Sequence, residues 1–285
     1  MLQILDMYES FVTCADSFRT KYALSTREAI CTPMILREGV FKDSGLPYPT
    51  MKHIKDVADY ALIEYNAVRT SLSRLHKDGR ILILKDDAGR TRYRMTEASM
   101  SMGKATVDRL TQPPGFLLAV FSFAQDDTTE RAFVRETLKY YGFKKLAQNT
   151  YINGHIDTRS LRTTIRDAGL DKNLYLFQCA DVDDAELTEK ILSVFGIENR
   201  NRFLHEFYRD LSLFLDIEKL NETEIIHRLC YAGPVQWKVC FMDEPPFPLA
   251  QLPEDYPLTR IIALYDEFLD KHRSRFIDYY LDLER

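Results

Sequence analysis

The order of predicted elements between Ser25 and Thr96 restricts the fold more than any other feature of this sequence. Apolar residues recur at helical spacing in three successive segments, and two short β-like runs follow them. The elements are a helix that opens at Ser25 and is broken by Lys42–Pro49, a helix from Thr50 to about Tyr60, a helix over Asn66–Asp78, and strands Arg80–Lys85 and Thr91–Met95. Three helices followed by a hairpin form the element order of a winged helix-turn-helix, and we expect that module here.

Charge in this segment differs from charge in the rest of the chain. The 285 residues carry a net charge of −5, but residues 69–94 contain eight basic side chains against three acidic ones. The local charge is therefore +5, and the remainder of the chain carries −10. Because attraction to phosphate acts over about 10 Å at moderate ionic strength, a compact basic module is sufficient to hold nucleic acid. The pattern indicates a DNA-reading module joined to acidic domains.

The helix predicted over Asn66–Asp78 has an apolar and a polar face. At about 100° per residue, Val68, Leu72 and Leu75 fall together and are expected to face the core. The other side presents Asn66, Arg69, Thr70, Ser73, Arg74 and Lys77, and the hairpin adds Arg90 and Arg92. Asn and Arg pair bidentately with adenine and guanine, whereas Ser, Thr and Lys suit phosphate contacts. A solvated charged helix is the alternative interpretation, but the basic hairpin favours DNA binding, and its two arginines are expected to reach backbone phosphates or a minor groove.

Beyond residue 112 the pattern changes to alternating strands and helices. The predicted elements are strands Phe116–Phe123, Phe143–Asn153 and Asn173–Cys179, helices Thr128–Tyr141 and Asp157–Ala168 between them, and then helices Ala185–Phe195, Asn199–Leu215, Glu222–Ala232 and Thr259–Leu283. Strand–helix alternation with short joins predicts a small ferredoxin-like domain. We therefore expect an α+β protein with an N-terminal helix or arm (1–26), a winged helix DNA-binding domain (27–112), a ferredoxin-like domain (113–182) and a mainly helical C-terminal domain (183–285).

Several stretches resemble the PaaX-type transcriptional repressors, which are bacterial regulators of phenylacetate and related aromatic-acid catabolism. The run Asn66–Leu75, with the hairpin that follows it, looks like the family's DNA-binding domain, and Phe116–Phe123 with Arg135–Phe143 resembles its middle domain. The ending Asp243–Pro257 is similar to its C-terminal signature, with Tyr256 where the family usually has Trp. The resemblance covers about residues 27–280. The helix predicted over residues 3–18 and its linker are longer than the family's usual lead-in.

The resemblance implies a repressor that binds a partly palindromic DNA operator as a homodimer and is released by an acyl-CoA effector such as phenylacetyl-CoA. The residues themselves show no phosphate-cradling glycine loop that would point to the CoA pyrophosphate. A homodimer is also favoured because one recognition helix covers only part of a turn of DNA.

Two apolar sets leave alternatives open. The last predicted helix has an apolar stripe that a second subunit or its own domain could cover, namely Ile261, Leu264, Tyr265, Phe268, Leu269, Phe276 and Tyr280. The aromatic residues Tyr231, Trp237, Phe241 and Phe247 could line an effector pocket or form plain core, and we favour core.

A metal-dependent nuclease is the alternative function. Small CRISPR-associated nucleases share, by resemblance, the fold of the middle domain and hold a metal with an Asp at the end of the first strand. Here Asp126 and Asp127 lie beyond the predicted strand end, so the strand offers no preorganised ligand. The six histidines are isolated, and Ser122 lacks the glycines of a nucleophile elbow. We therefore expect no enzyme, no cofactor and no metal site.

Location and redox state are predicted from what the sequence lacks. No stretch approaches the roughly 18 apolar residues of a membrane span, and the first residues do not form an export signal. The five cysteines are scattered, without the spacing of a metal site. We expect a cytoplasmic protein with buried thiols and no membrane partner.

Overall fold

The computed structural model describes residues 15–100, 115–124, 126–154, 158–179, 182, 184–216, 220–245 and 252–285. Within these ranges the protein is α+β, with many helices and two small antiparallel sheets. Of the N-terminal helix predicted over residues 3–18, residues 1–14 lie outside the described part, and residues 15–21 are helical. No helix in the described ranges is long and apolar enough to cross a membrane.

Nine helices and six strands have both ends within the described residues and carry labels here. The helices are α1 (Thr26–Ile35), α2 (Met51–Tyr60), α3 (Tyr65–Lys77), α4 (Thr128–Tyr140), α5 (Thr158–Asp167), α6 (Ala185–Phe195), α7 (Ile197–Phe214), α8 (Glu222–Trp237) and α9 (Leu258–Glu284). The strands are β1 (Ile81–Lys85), β2 (Thr91–Met95), β3 (Phe116–Phe121), β4 (Lys144–Ala147), β5 (Thr150–Asn153) and β6 (Leu174–Cys179). β1 and β2 form a hairpin, and the larger sheet has the order β4-β5-β3-β6.

The chain folds into two compact units. The first unit comprises Met1–Lys104, His205–Asp243 and Pro257–Arg285, and the second comprises Ala105–Leu204 and Glu244–Tyr256. This grouping differs from the contiguous division predicted from the sequence, which kept residues 183–285 together. The physical reason is that α8 is buried on most sides, so it needs partners beyond its sequence neighbours. Tyr231 on α8, for example, donates a hydrogen bond to the carbonyl oxygen of Tyr22 at 3.2 Å.

The core of the first unit is built by α1, α2, α3 and the hairpin. Val68, Leu72 and Leu75 are buried, as the helical spacing predicted. They pack in one cluster with Ile30, Met34, Ile54, Ile81, Tyr93 and Met95. A capping box opens α1, because the Glu28 amide donates to Ser25 Oγ at 3.2 Å and the Ser25 amide donates to Glu28 Oε2 at 2.7 Å.

The apolar stripe of α9 is covered within its own unit. Ile261, Phe268, Phe276 and Tyr280 are all buried, and the Phe276 ring stacks on Phe41 with centroids 4.3 Å apart. Of the two alternatives for this stripe, the structure therefore favours packing within the chain.

The aromatic set around α8 also behaves as core. Tyr231 and Phe241 are buried, and Trp237 stacks on Phe241 at 4.6 Å, whereas Phe247 lies outside the described residues. The prediction that α8 ends at Ala232 was wrong. The helix continues through Pro234 to Trp237 and ends in a π-helical turn, Lys238–Met242. Pro234 removes one hydrogen-bond donor, and the packing of the buried residues on both sides of it offsets that loss.

The second unit packs two helices on one face of a four-stranded sheet. Val134 and Leu138 of α4, with Leu161 and Ile165 of α5, form a core with Leu117, Ala119, Phe121 and Tyr151 of the strands. The segment Phe143–Asn153, predicted as one strand, is instead the antiparallel pair β4–β5. Asn149 lies in the turn at φ 57°, a left-handed conformation that Asn tolerates better than most residues.

His272 on α9 is a buried histidine whose ring nitrogens, among the described residues, have no hydrogen-bond partner. Burial, with help from Arg275 and Lys271, lowers the pKa of its imidazole. Burial also lowers the pKa of His53, which lies at the start of α2. A histidine whose folded pKa is below its unfolded value of about 6.5 binds fewer protons in the native state. Protonation of either residue therefore disfavours the folded state, so the free energy of unfolding decreases as the pH falls below about 6.5.

Replacing His272 by leucine is expected to raise the free energy of unfolding by about 1 kcal/mol, because an unpaired buried polar group costs about 1–3 kcal/mol. Urea unfolding of the variant and the parent at about pH 7.5 and about pH 5.5 measures this difference in the free energy of unfolding. On acidification, the free energy of unfolding of the variant should fall less than that of the parent. Part of the pH dependence remains, because His53 is unchanged. His205→Gln, on an exposed position of α7, is the control. A variant less stable than the parent at the higher pH would contradict the prediction.

Candidate nucleic-acid interface

α3 presents its polar side to solvent because its apolar side is locked in the core. It begins after a short turn in which Leu62 adopts a left-handed conformation at φ 58°. Val68, Leu72 and Leu75 fix the rotation of the helix about its axis. All six helix residues predicted to contact DNA are exposed, namely Asn66, Arg69, Thr70, Ser73, Arg74 and Lys77. We call these six residues the α3 polar face.

The α3 polar face is positively charged and little engaged within the protein. In the described ranges, no ion pair is recorded for Arg69, Arg74 or Lys77. Thr70 Oγ1 donates to the carbonyl oxygen of Asn66 at 2.9 Å, which leaves its lone pairs available as acceptors. A face with free cationic donors and amide and hydroxyl groups can bind phosphates and base edges at once.

The hairpin next to α3 is organised by Asp86 at its turn. Asp86 Oδ1 accepts hydrogen bonds from the amides of Ala88 at 3.1 Å and Arg90 at 2.8 Å, and Gly89 supplies the positive φ of 76°. Desolvation acts to raise the pKa of Asp86, but hydrogen bonds from Arg90 and Arg92 and the charge of both arginines lower it to about 2. The turn therefore keeps its charged, hydrogen-bonded form over the ordinary pH range.

Arg92 does not have the exposure predicted for it, because it is only 3% exposed. Its guanidinium makes a bidentate pair with Glu284 of α9, in which Nη2 lies 2.7 Å from Oε2. Nε donates to Asp86 Oδ2 at 2.9 Å, and Nη1 donates to the carbonyl oxygen of Tyr48 at 2.8 Å. These four bonds offset the cost of burying the charge. The side chain thus anchors the hairpin to α9 instead of extending to solvent.

Arg90, unlike Arg92, remains partly exposed. Its side chain is 50% exposed and contacts the same two carboxylates, Asp86 at 3.0 Å and Glu284 at 3.1 Å. A recess of about 390 Å³ opens beside it, lined by Thr50, Met51, Lys52, Arg90, Thr91, Leu283, Glu284 and Arg285. Positive charge on this side therefore comes from Arg90, Lys52 and Arg285.

Sequence reasoning missed Lys52, Glu284 and Arg285 in this region. Lys52 could have been found, since it lies in the first turn of α2, two residues after the N-cap Thr50. Glu284 carried no such signal, because it lies 192 residues from its partner Arg92.

The described residues near the end of β3 are arranged for turn formation. β3 ends at Phe121, and Asp127 Oδ2 accepts a hydrogen bond from the Ala124 amide at 3.1 Å. In the described part of the chain, no group of three or more His, Cys, Asp or Glu residues could hold a metal ion.

Comparison with known proteins gives information on fold. No protein-family model matches the chain, and no curated protein matches its sequence. The structure is similar to that of the uncharacterized protein Rv0674 from Mycobacterium tuberculosis, with a TM-score of 0.51 at 14% sequence identity, over 86% of this chain and 98% of that one. The two proteins share a fold. At this identity the likeness carries no information on function.

Proposed function

We propose that the protein is a sequence-specific DNA-binding transcriptional regulator with α3 as its recognition helix. The α3 polar face is the observation that carries this proposal. Helix pair α2–α3, followed by the antiparallel β1–β2 hairpin, supports a winged helix-turn-helix. In that arrangement α3 lies in the major groove, where Asn66, Arg69 and Ser73 contact base edges. Arg74 and Lys77 contact phosphates, and Arg90 reaches the backbone from the hairpin.

We further propose that the second unit is a ferredoxin-like domain. Its strands and helices follow the order β-α-β-β-α-β along the chain. β3 lies between β5 and β6, and β4 pairs with β5 at the edge. This connectivity is that of the ferredoxin-like arrangement, and both of its helices pack on one face.

The regulatory part of the proposal rests on the resemblance to PaaX-type repressors. It describes a homodimeric repressor of a catabolic operon, released by an acyl-CoA effector such as phenylacetyl-CoA. Two residues of the segment that resembles the family's C-terminal signature, Glu244 and Tyr256, contact each other in the second unit. Tyr256 is buried and donates a hydrogen bond to Glu244, which accepts another from Arg200 Nε at 3.0 Å. Operator binding measured with and without a panel of CoA thioesters tests the effector, and indifference to the whole panel removes this effector class.

Selection of a preferred duplex from a random pool tests DNA binding directly. The full chain should enrich a defined sequence and bind it far more tightly than random duplex, by a factor of about 10³ or more. Binding of every duplex with one affinity would leave a non-specific nucleic-acid binder. Binding of no duplex would contradict the proposal.

The phosphate role of Lys77 predicts a change in salt dependence. Lys77→Gln should weaken specific and random duplexes alike and reduce the slope of log K against log salt by about one unit, because one fewer counterion is released. Lys139→Gln, which removes an exposed cation from α4, is the control and should leave the slope unchanged. If Lys77→Gln instead relaxed the preference at one base pair, Lys77 would read a base and the division of roles would be wrong.

A further inference from the structure

The two edge strands of the sheet in the second unit are protected very differently. β4 carries Lys144 and Lys145 and has a shift in its register with β5. Charges and irregular pairing on an edge prevent it from pairing with another chain. β6, at the opposite edge, has none of these features. Its six residues, Leu-Tyr-Leu-Phe-Gln-Cys, include no charge and no proline, and it pairs with β3 in unbroken register.

β6 also exposes two large aromatic side chains. Tyr175 is 52% exposed and Phe177 is 53% exposed. Val120 and Leu118 of β3 lie directly opposite them in the register, and both are half-buried. These four residues share the sheet face that lies away from the α4–α5 core. They form a continuous apolar strip that reaches the edge of the sheet.

The outer backbone groups of β6 are placed to pair with another strand. The Ser122 amide donates to the Asn173 carbonyl oxygen at 2.9 Å, which fixes the phase of the β3–β6 ladder. Along an antiparallel edge strand, backbone hydrogen bonds to the neighbouring strand are made by every second residue. Tyr175 and Phe177 therefore hydrogen-bond to β3. Leu174, Leu176 and Gln178 direct their N–H and C=O groups outward. Among the described residues, no strand pairs with this outer side.

We propose that β6 pairs antiparallel with β6 of a second copy of this chain, about a two-fold axis at Leu176. This register places Leu176 opposite its own copy and Leu174 opposite Gln178, so all the outward backbone groups of these residues bond across the axis. Tyr175 of each copy then lies opposite Phe177 of the other copy. Both pairs occupy non-hydrogen-bonded positions, in which the facing side chains are closer together. Cross-strand aromatic pairs of this kind are among those that stabilise a sheet most.

The charges of the two edges are compatible with a second copy at β6 but not at β4. Self-association through β4 would bring Lys144 and Lys145 of two copies together, whereas β6 offers no charge to repel its own copy. Pairing through β6 joins the two sheets into one, whose outer edges are both the lysine-bearing β4. The choice of a second copy rests on the proposed function, since a recognition helix on each copy supplies the two half-sites of an operator.

Sedimentation of the full chain, without DNA, tests the interface. The parent should sediment as a dimer, and Phe177→Lys should raise the dimer dissociation constant by about 100-fold or more, since it places two cations in the apolar strip. Tyr140→Lys changes an 85% exposed tyrosine on α4 and should leave the dimer intact. Thermal unfolding of each variant verifies that the fold is retained. A monomeric parent, or a dimeric Phe177→Lys variant, would overturn the proposal.

A charge swap tests the register. In the double variant Tyr175→Glu with Phe177→Lys, each introduced carboxylate lies opposite an introduced ammonium of the second copy, so the dimer should return. A double variant that remains monomeric would overturn this register. Duplex binding by the same samples separates this inference from the proposed function. A β6 dimer that binds no duplex overturns the function alone, whereas a monomeric parent that binds duplex overturns the dimer alone.

Discussion

Arg92→Met is expected to lower the free energy of unfolding by about 3 kcal/mol, because it removes the bidentate partner of the mostly buried Glu284 carboxylate. Arg92 joins the hairpin turn at Asp86 to Glu284 of α9, and its side chain is almost fully buried. Urea unfolding of the full chain, followed by circular dichroism, measures the loss in the transition that reports the first unit.

Arg90→Met is the matched control, since Arg90 contacts the same two carboxylates from an exposed position. The decrease in the free energy of unfolding caused by Arg90→Met should be below about 1 kcal/mol, as for most exposed ion pairs. The double variant Arg92→Met with Glu284→Met should regain much of the stability, because both buried charges are then removed. Equal small losses for Arg90→Met and Arg92→Met would show that burial of Arg92 contributes little.

Arg69→Ala is expected to weaken binding to the selected duplex by about 1–3 kcal/mol, roughly 5- to 150-fold in Kd, and to relax preference at one base pair. Arg69 is exposed on the α3 polar face, one helical turn after Asn66, where a guanidinium can pair with a guanine edge. Binding of the selected duplex and of single-base-pair variants, at one fixed salt concentration, measures both effects.

Arg202→Ala removes an exposed guanidinium from α7 and should bind as the parent does. Equal affinities of Arg69→Ala and the parent for the selected duplex would exclude Arg69 from the interface. A loss that is the same for every duplex would instead make Arg69 a phosphate contact.

The α3 polar face could be predicted because its signal is local. Val68, Leu72 and Leu75 recur at helical spacing, and burying them determines which side of the helix faces solvent. The exposure of Arg92 could not be predicted in the same way. Its position in a short β-like run was correct, but its burial depends on Glu284, and no local pattern relates residues so far apart.

The two compact units differ from the contiguous division predicted from the sequence for a related reason. Sequence patterns identified α8 and α9 as helices, but periodicity does not say which other helices will cover them. The prediction of one strand over Phe143–Asn153 failed on a single residue, because a left-handed Asn149 turns the chain back on itself. Asn is common in both loops and turns, so its presence did not distinguish a continuous strand from a hairpin.

The Arg92–Glu284 bridge also has a consequence for how the protein is made. The hairpin is synthesised 192 residues before the carboxylate that anchors it. Until that part of the chain emerges from the ribosome, Arg92 lacks its bidentate partner, and Phe41 lacks the Phe276 ring on which it stacks in the finished protein. Nascent chains and fragments that lack α9 should therefore form α3 without a fixed hairpin, and they should need chaperone protection that the finished protein does not.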